Sequence, residues 1–276
     1  MTGLPWSLRR QGGIEHYELA AGPDLLVAFT NRQGGLSLGA FASLNLSSDV
    51  GDDTIAVRKN MELVKQTLRI PALVTMKQTH SDVVLSVLDR EFRPEPFEGD
   101  AVFTNLPGIG LGVRVADCLP VFVYAQDASC VGIAHCGWRG TVLRIAEKLA
   151  SHMAERLSVL PGRLRFALGP CICSGCYPVG EDVFQQFRKS FPDADRFFVH
   201  DAGHDPIPLG ESGSCPKSNG HCRLDLRSAN RWLLREMGLT ETGSLDLCTR
   251  EHPEEFFSAR RENPTGRNLA VVAIRQ

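Results

Sequence analysis

Two histidines and a cysteine, His80, Cys118 and His135, offer the nitrogen and sulfur atoms that zinc prefers. Three such ligands and one open position make a catalytic zinc. They stand 38 and 17 positions apart, which is no local zinc-finger spacing, so the fold has to assemble them. The same residues without a metal would do different chemistry, with Cys118 as a nucleophile activated by His135. The plain alternative is two hydrogen-bonded structural histidines and a buried free thiol.

Between the His135 strand and the following helix lies Gly137-Trp138-Arg139-Gly140-Thr141. A strand-to-helix turn here would present unpaired N–H groups to an anion, and Arg139 would add its fork of donors. Cys171, Cys173 and Cys176 form a C-x-C-x-x-C cluster after Pro170, but no second ligand group stands at a standard spacing from it. The cluster reads as a structural-metal candidate or, more plainly, as ordinary loop thiols. His204, Cys215, His221 and Cys222 form a looser group whose spacing matches no known site. The chain has nine cysteines; the odd count and irregular spacing favour reduced thiols or metal ligands over a disulfide framework. A Walker phosphate loop, a dinucleotide-binding glycine fingerprint, a G-x-S-x-G elbow and the common zinc-deaminase pattern are all missing.

The elements that must position these residues can be traced along the chain. Leu25 to Thr30 reads as a buried strand. Asp52-Asp53 caps a helix with Val57, Met61, Val64 and Leu68 on one face, closed by Pro71. Leu73–Met76 is strand-like and delivers His80. Ala101–Thr104 and two runs between Gly110 and Tyr124 follow, the latter broken at Asp117-Cys118-Leu119-Pro120; a further strand, Val131–Ala134, delivers His135. Each candidate ligand thus sits at a strand end. Thr141 is expected to open a helix running to Leu157, with a strand over Leu164–Leu168, a helix near Glu181–Phe191, a polar excursion from Pro192 to Cys222, a helix over Arg227–Met237 and a terminal strand over Leu269–Ile274. Clustered and helix-separated strands together point to an α+β class, a single layered domain (1–276) with mixed β-sheets flanked by helices.

Composition limits the partners. The 276 residues are 43% hydrophobic, ample for a core, and carry a net charge of -2. Without a basic excess there is no general field for nucleic acid or an anionic membrane. No secretory leader or bilayer-length apolar run is present, so the expectation is a cytoplasmic protein acting on a small molecule. Oligomeric state stays open.

Several motifs then occur in a recognisable order: Asn31-Arg32-Gln33-Gly34-Gly35, Ser43-Leu44-Asn45-Leu46, Lys77-Gln78-Thr79-His80, Gly99-Asp100-Ala101, Ala116-Asp117-Cys118-Leu119-Pro120, His135-Cys136-Gly137-Trp138-Arg139-Gly140-Thr141, Leu168-Gly169-Pro170 and Phe256-Phe257-Ser258 before Arg260-Arg261. Nearly the whole chain resembles the multicopper polyphenol oxidase (laccase) family, also called the purine nucleoside phosphorylase or peptidoglycan editing factor family. The resemblance implies a layered fold distantly like cysteine-hydrolase toxins and a zinc, with copper as the alternative, at His80, Cys118 and His135. It also implies phosphorolysis of adenosine, inosine and S-methyl-5′-thioadenosine, and adenosine deamination. The competing readings are a Cys118-dependent hydrolase editing peptidoglycan precursors and a copper-dependent polyphenol oxidase.

Within that reading, Asp117 is a candidate acid/base or orienting group. Arg139, with Arg32 and Arg260, is a candidate phosphate holder, and Lys77, Gln78 and Asn45 are candidate substrate contacts. Cys136 departs from the small residue usual in the family and is expected to add a thiol beside the site. Ser258-Ala259 lacks the tyrosine often found before the arginines.

Overall fold

The computed structural model describes residues 5–89, 97–199 and 221–276. Long apolar runs, buried on both faces, become the central strands of two mixed six-stranded sheets. The first sheet runs β1 (Trp6–Gln11), β2 (Ile14–Leu19), β3 (Leu25–Thr30), β15 (Asn268–Ile274), β7 (Ile109–Val115), β4 (Ala72–Thr75). The second runs β14 (Thr240–Ser244), β10 (Leu164–Leu168), β8 (Leu119–Ala125), β9 (Val131–Cys136), β6 (Ala101–Thr104), β5 (Val84–Val87). The pairs β4–β7, β5–β6 and β10–β14 are parallel and the others antiparallel. A small antiparallel sheet joins β11 (Pro178–Gly180), β13 (His221–Leu224) and β12 (Phe198–Val199).

The two large sheets share one apolar layer, in which Val27, Phe29, Val113 and Val272 meet Phe122, Tyr124 and Ile133. The outer face of the first sheet, with Leu26, Ala28 and Val271, is covered by α1 (Thr54–Leu68) through Val64 and Leu68. The outer face of the second, with Val121, Val123 and Phe166, is covered by α3 (Ile145–Leu157) and α5 (Leu226–Glu236). The protein is therefore a mixed α+β domain in four layers, as expected for its class. No helix among the described residues is long and apolar enough to cross a membrane.

Two connections carry the chain from the first sheet to the second: β4 to β5, which contains His80, and β7 to β8, which contains Asp117 and Cys118. His135 lies inside β9, paired with Pro120 of β8, because the strand expected to end at Ala134 runs two residues further, to Cys136. The helix expected from Thr141 starts earlier and breaks. α2 (Trp138–Val142) is capped by Gly137, and Arg144 at φ 61° ends it before α3 begins. Of the polar excursion, residues 200–220 lie outside the described residues, and with them His204 and Cys215. β1 and β2 form a hairpin turning at Gly12-Gly13, both at positive φ as such a two-residue turn requires; charged, exposed β1 gave no apolar period to read. α4 (Glu181–Ser190) falls where a helix was expected.

Asn60, fully buried on α1, pins the loop that leads toward the cavity. It accepts from Leu36 N at 2.8 Å and donates to Ser37 Oγ at 3.0 Å and Asn45 O at 2.9 Å. Each buried partner left unsatisfied costs about 1–3 kcal/mol. Asn60→Leu is therefore expected to lower unfolding free energy by at least about 2 kcal/mol in urea titrations.

Candidate active site

The carboxylate of Asp100 organises the site. It is fully buried just before β6 and accepts from the backbone N–H groups of Thr79 (3.2 Å), His80 (3.1 Å) and Ser81 (2.6 Å), and from Ser81 Oγ (2.8 Å). These bonds hold His80 in the left-handed region at φ 59°, a conformation uncommon for a residue with a side chain. The same carboxylate meets His135 Nδ1 at 2.8 Å. An ionised carboxylate only accepts, so Nδ1 carries the proton and Nε2 is left to face Cys118.

The three side chains converge. Cys118 Sγ lies 4.0 Å from His80 Nε2, and the two imidazole rings are 4.9 Å apart at 66°. Their ligand atoms all lie within 4.8 Å of one another. A tetrahedral zinc with bonds of about 2.0–2.3 Å needs ligands roughly 3.4–3.8 Å apart, so small rotations close the set. The backbone leaves the room: a Cβ on Gly137 would stand 2.9 Å from Cys118 Sγ and 3.2 Å from His80 Cδ2. Donor types, tautomer and space all fit zinc or another borderline-soft divalent metal.

Electrostatics favour the ligating form of the cysteine. Burial pushes the Cys118 thiol up, but the charge of His135 and hydrogen bonds from both histidines outweigh it and bring the pKa to about 6. Burial opposes charge on His135 as well, and Cys118 and Asp100 raise it to about 9. Burial disfavours the Asp100 carboxylate too, yet His135 and Ser81 hold it well below the usual range. Cys136 does not join the site. It turns to the opposite face of β9, under α3, and burial drives its thiol far up.

His80, Cys118 and His135 open onto a cavity of about 430 Å³. Asp117, Gln78, Arg139 and Arg260 line it with them, and so do Arg114, Arg267 and Tyr177, which sequence reasoning left without a role. Arg139 stacks over Trp138 with 4.4 Å from guanidinium carbon to ring centre, and Arg260 over Tyr177 at 4.9 Å. Gln78 is locked to the backbone of Arg114 by two hydrogen bonds of 2.8 Å. Asp117, at φ 98°, accepts from Thr249 Oγ1 and from Arg260 N, both at 2.7 Å, so it ties the Cys118 turn to two other segments.

Three expected substrate contacts stand outside the cavity wall. Arg32 lies over the Phe257 ring and bonds the carbonyls of Ala42 and Pro253. Lys77 is at the surface, paired with Glu98 at 2.6 Å. Asn45 is fully buried and bonds Ser47, Asp52 and the N–H of Arg267, which makes it a support of the loop carrying Arg267. Residue type alone could not separate these from cavity residues. α2 is a single short turn, so Arg139 is placed by Gly137 and Trp138 rather than by a long helix.

A layered α+β fold with a His-Cys-His set beside an arginine-lined cavity defines a small-molecule site with nitrogen and sulfur donors for a metal. The family model described as multi-copper polyphenol oxidoreductase laccase matches residues 26–275, and the chain belongs to that family. It is 36% identical over 261 residues to a purine nucleoside phosphorylase of Deinococcus radiodurans, covering 93% of this chain and 92% of that protein. It is 32% identical over 261 residues to adenosine deaminase RL5 from an unknown prokaryotic organism, covering 90% and 93%. The solved structure of the Bacillus licheniformis hypothetical protein YfiH matches with a TM-score of 0.85 at 29% identity, covering 97% of this chain and 99% of that one.

Asp100→Asn keeps the shape but removes the charge and turns one of the two acceptor oxygens into a donor facing other donors, and is expected to weaken zinc binding by about 10–100-fold in chelator competition. In metal-stripped protein, the folded pKa of Cys118 lies below an ordinary thiol and that of His135 above an ordinary imidazole. Stabilisation from the thiolate is lost as pH falls through about 6, and that from the imidazolium as pH rises through about 9. Alkylation of Cys118 should therefore titrate near pH 6 in the stripped wild type, and near an ordinary thiol's value, about 8.5, in unfolded chain.

Proposed function

We propose that the chain is a zinc-dependent purine nucleoside enzyme. It would cleave adenosine, inosine and S-methyl-5′-thioadenosine with phosphate, and deaminate adenosine. The observation that carries this reading is the His-Cys-His set and four arginines, Arg114, Arg139, Arg260 and Arg267, around one cavity. The cavity volume falls in the range of small-molecule sites, roughly 300–1,000 Å³. The relatives named for both activities support it.

In phosphorolysis a phosphate oxygen bonds to the ribose anomeric carbon as the carbon–nitrogen bond breaks, and the electron pair leaves with the purine. The arginines would neutralise the phosphate and hold it against that carbon. In deamination water adds to the purine carbon bearing the amine, and ammonia leaves. Zinc held by His80, Cys118 and His135 would supply Lewis-acid polarisation of the substrate. Asp117 would position the Cys118 turn and Arg260, and is also our candidate for proton transfer. This reading takes residues 1–276 as one catalytic unit, cytoplasmic, without nucleic acid or membrane partners.

One observation favours a second reading. Cys118, His135 and Asp100 form a chain of the kind that activates a thiol nucleophile, and the two histidines bring the Cys118 thiol down to about 6 against the effect of burial. That would be a metal-independent hydrolase acting on peptidoglycan precursors. Copper-dependent phenol oxidation, the activity in the family's description, is the third reading.

Purified protein assayed with adenosine separates them. The zinc enzyme forms adenine only with phosphate and inosine without it, and loses both on chelation and in Cys118→Ala. Arg260→Ala is expected to raise the phosphate KM about 10–100-fold, the loss of a charged hydrogen bond of about 1.5–3 kcal/mol, while sparing inosine formation. Hydrolysis of muropeptides that survives chelation would replace this reading with the thiol hydrolase. Oxygen uptake with phenols, dependent on copper, would replace it with the oxidase.

A further inference from the structure

A second set of metal-type ligands lies in segments that the nucleoside chemistry does not use. The thiols of Cys173, Cys176 and Cys248 and the carboxylate of Glu251 all lie within 4.8 Å of one another. Two turns of the same design deliver them. Cys173 and Cys176 are separated by two residues, and Cys176 N donates to Cys173 O at 3.0 Å. Cys248 and Glu251 are likewise separated by two, and Glu251 N donates to Cys248 O at 3.2 Å. A ligand pair two residues apart on a tight turn is the standard half of a structural zinc site. Here two halves face each other.

The backbone holds the halves together. Cys171 and Cys248 form a parallel bridge, and Thr249 N donates to Cys171 O at 3.2 Å. Cys173 N points at Cys248 Sγ at 3.3 Å, and the Cys176 thiol meets Glu251 Oε1 at 3.3 Å. A backbone N–H aimed at sulfur favours the thiolate that a metal requires. None of the three cysteines is in a disulfide. Three thiols and a carboxylate gathered at one point are a donor set that a soft cation would satisfy together.

We propose that Cys173, Cys176, Cys248 and Glu251 form a closed structural zinc site. Four protein ligands leave no open position, which separates it in kind from the His80–Cys118–His135 set. Thiolate-rich donors select zinc over magnesium or calcium. The site clamps the loop after β10 to the loop after β14. Tyr177, next to Cys176, lines the cavity, and Thr249, next to Cys248, holds Asp117. The second zinc thus braces the cavity wall from behind, whatever reaction the cavity performs.

The test uses the full chain with Cys118→Ala, which removes the first set. After zinc loading and gel filtration under reducing conditions, the variant is expected to retain about one zinc per chain. Cobalt in its place should give strong near-ultraviolet sulfur-to-metal bands. Zinc should protect Cys173, Cys176 and Cys248 together from maleimide in peptide mapping. Adding Cys173→Ser and Cys248→Ser should abolish retention. Glu251→Gln, on an exposed side chain, should weaken zinc binding at least about tenfold without unfolding, which keeps the test valid if the double serine variant misfolds. Failure of Cys118→Ala to retain zinc, retention undiminished by these substitutions, or a disulfide among the three cysteines in protein kept reduced would overturn the proposal.

Discussion

Asp100 gathers one imidazole N–H, one hydroxyl and three successive backbone N–H groups onto a carboxylate with no solvent exposure. A buried charge is tolerated only when it is paired and hydrogen-bonded, and here the pairing is the site itself. The bonds to residues 79–81 bend the β4–β5 connection so that His80 faces Cys118 and His135 at the cavity. The bond to His135 sets its tautomer. If the carboxylate were lost, two of the three ligand-type side chains would lose their orientation together.

The sheets explain why Asp100 can do this. β6, which Asp100 precedes, pairs with β9, which carries His135. The chain passes from one sheet to the other at β4–β5 and again at β7–β8, and the two crossings meet at His80 and Cys118. A site built on crossings between two packed sheets inherits the rigidity of the shared core, where Phe29, Phe122 and Ile133 interlock. Of the four arginines, Arg114 stands on β7 and Arg139 on α2, while the other two arrive on an irregular segment. Arg260 and Arg267 lie on the stretch leading into β15, fastened by Asp117 and Asn45.

Much of this was legible in the residues. The apolar runs marked β3, β6, β7, β8 and β15, and the Asp53 cap marked α1, because burial and capping leave local patterns. His80, Cys118 and His135 could be grouped among eight histidines and nine cysteines because each stands at a strand end inside a motif of the resembled family. What stayed hidden depends on distance in space. Arg267 carries no local sign of a role and lines the cavity only because Asn45, far away in sequence, holds its N–H. Cys173 and Cys176 lacked a partner pair until the fold set Cys248 and Glu251 beside them. A glutamate three positions after a cysteine is unremarkable in a sequence. Arg32, Lys77 and Asn45 were polar residues in matching motifs, and the structure puts each to work on its own scaffold instead.

The central claim is that His80, Cys118 and His135 hold one metal at the cavity. Anomalous diffraction from crystals of the zinc-loaded protein, collected on both sides of the zinc edge, tests it directly. The account predicts a peak about 2.3 Å from Cys118 Sγ and about 2.0–2.1 Å from a ring nitrogen of each histidine. Zinc-loaded crystals with no peak between these three side chains would contradict it.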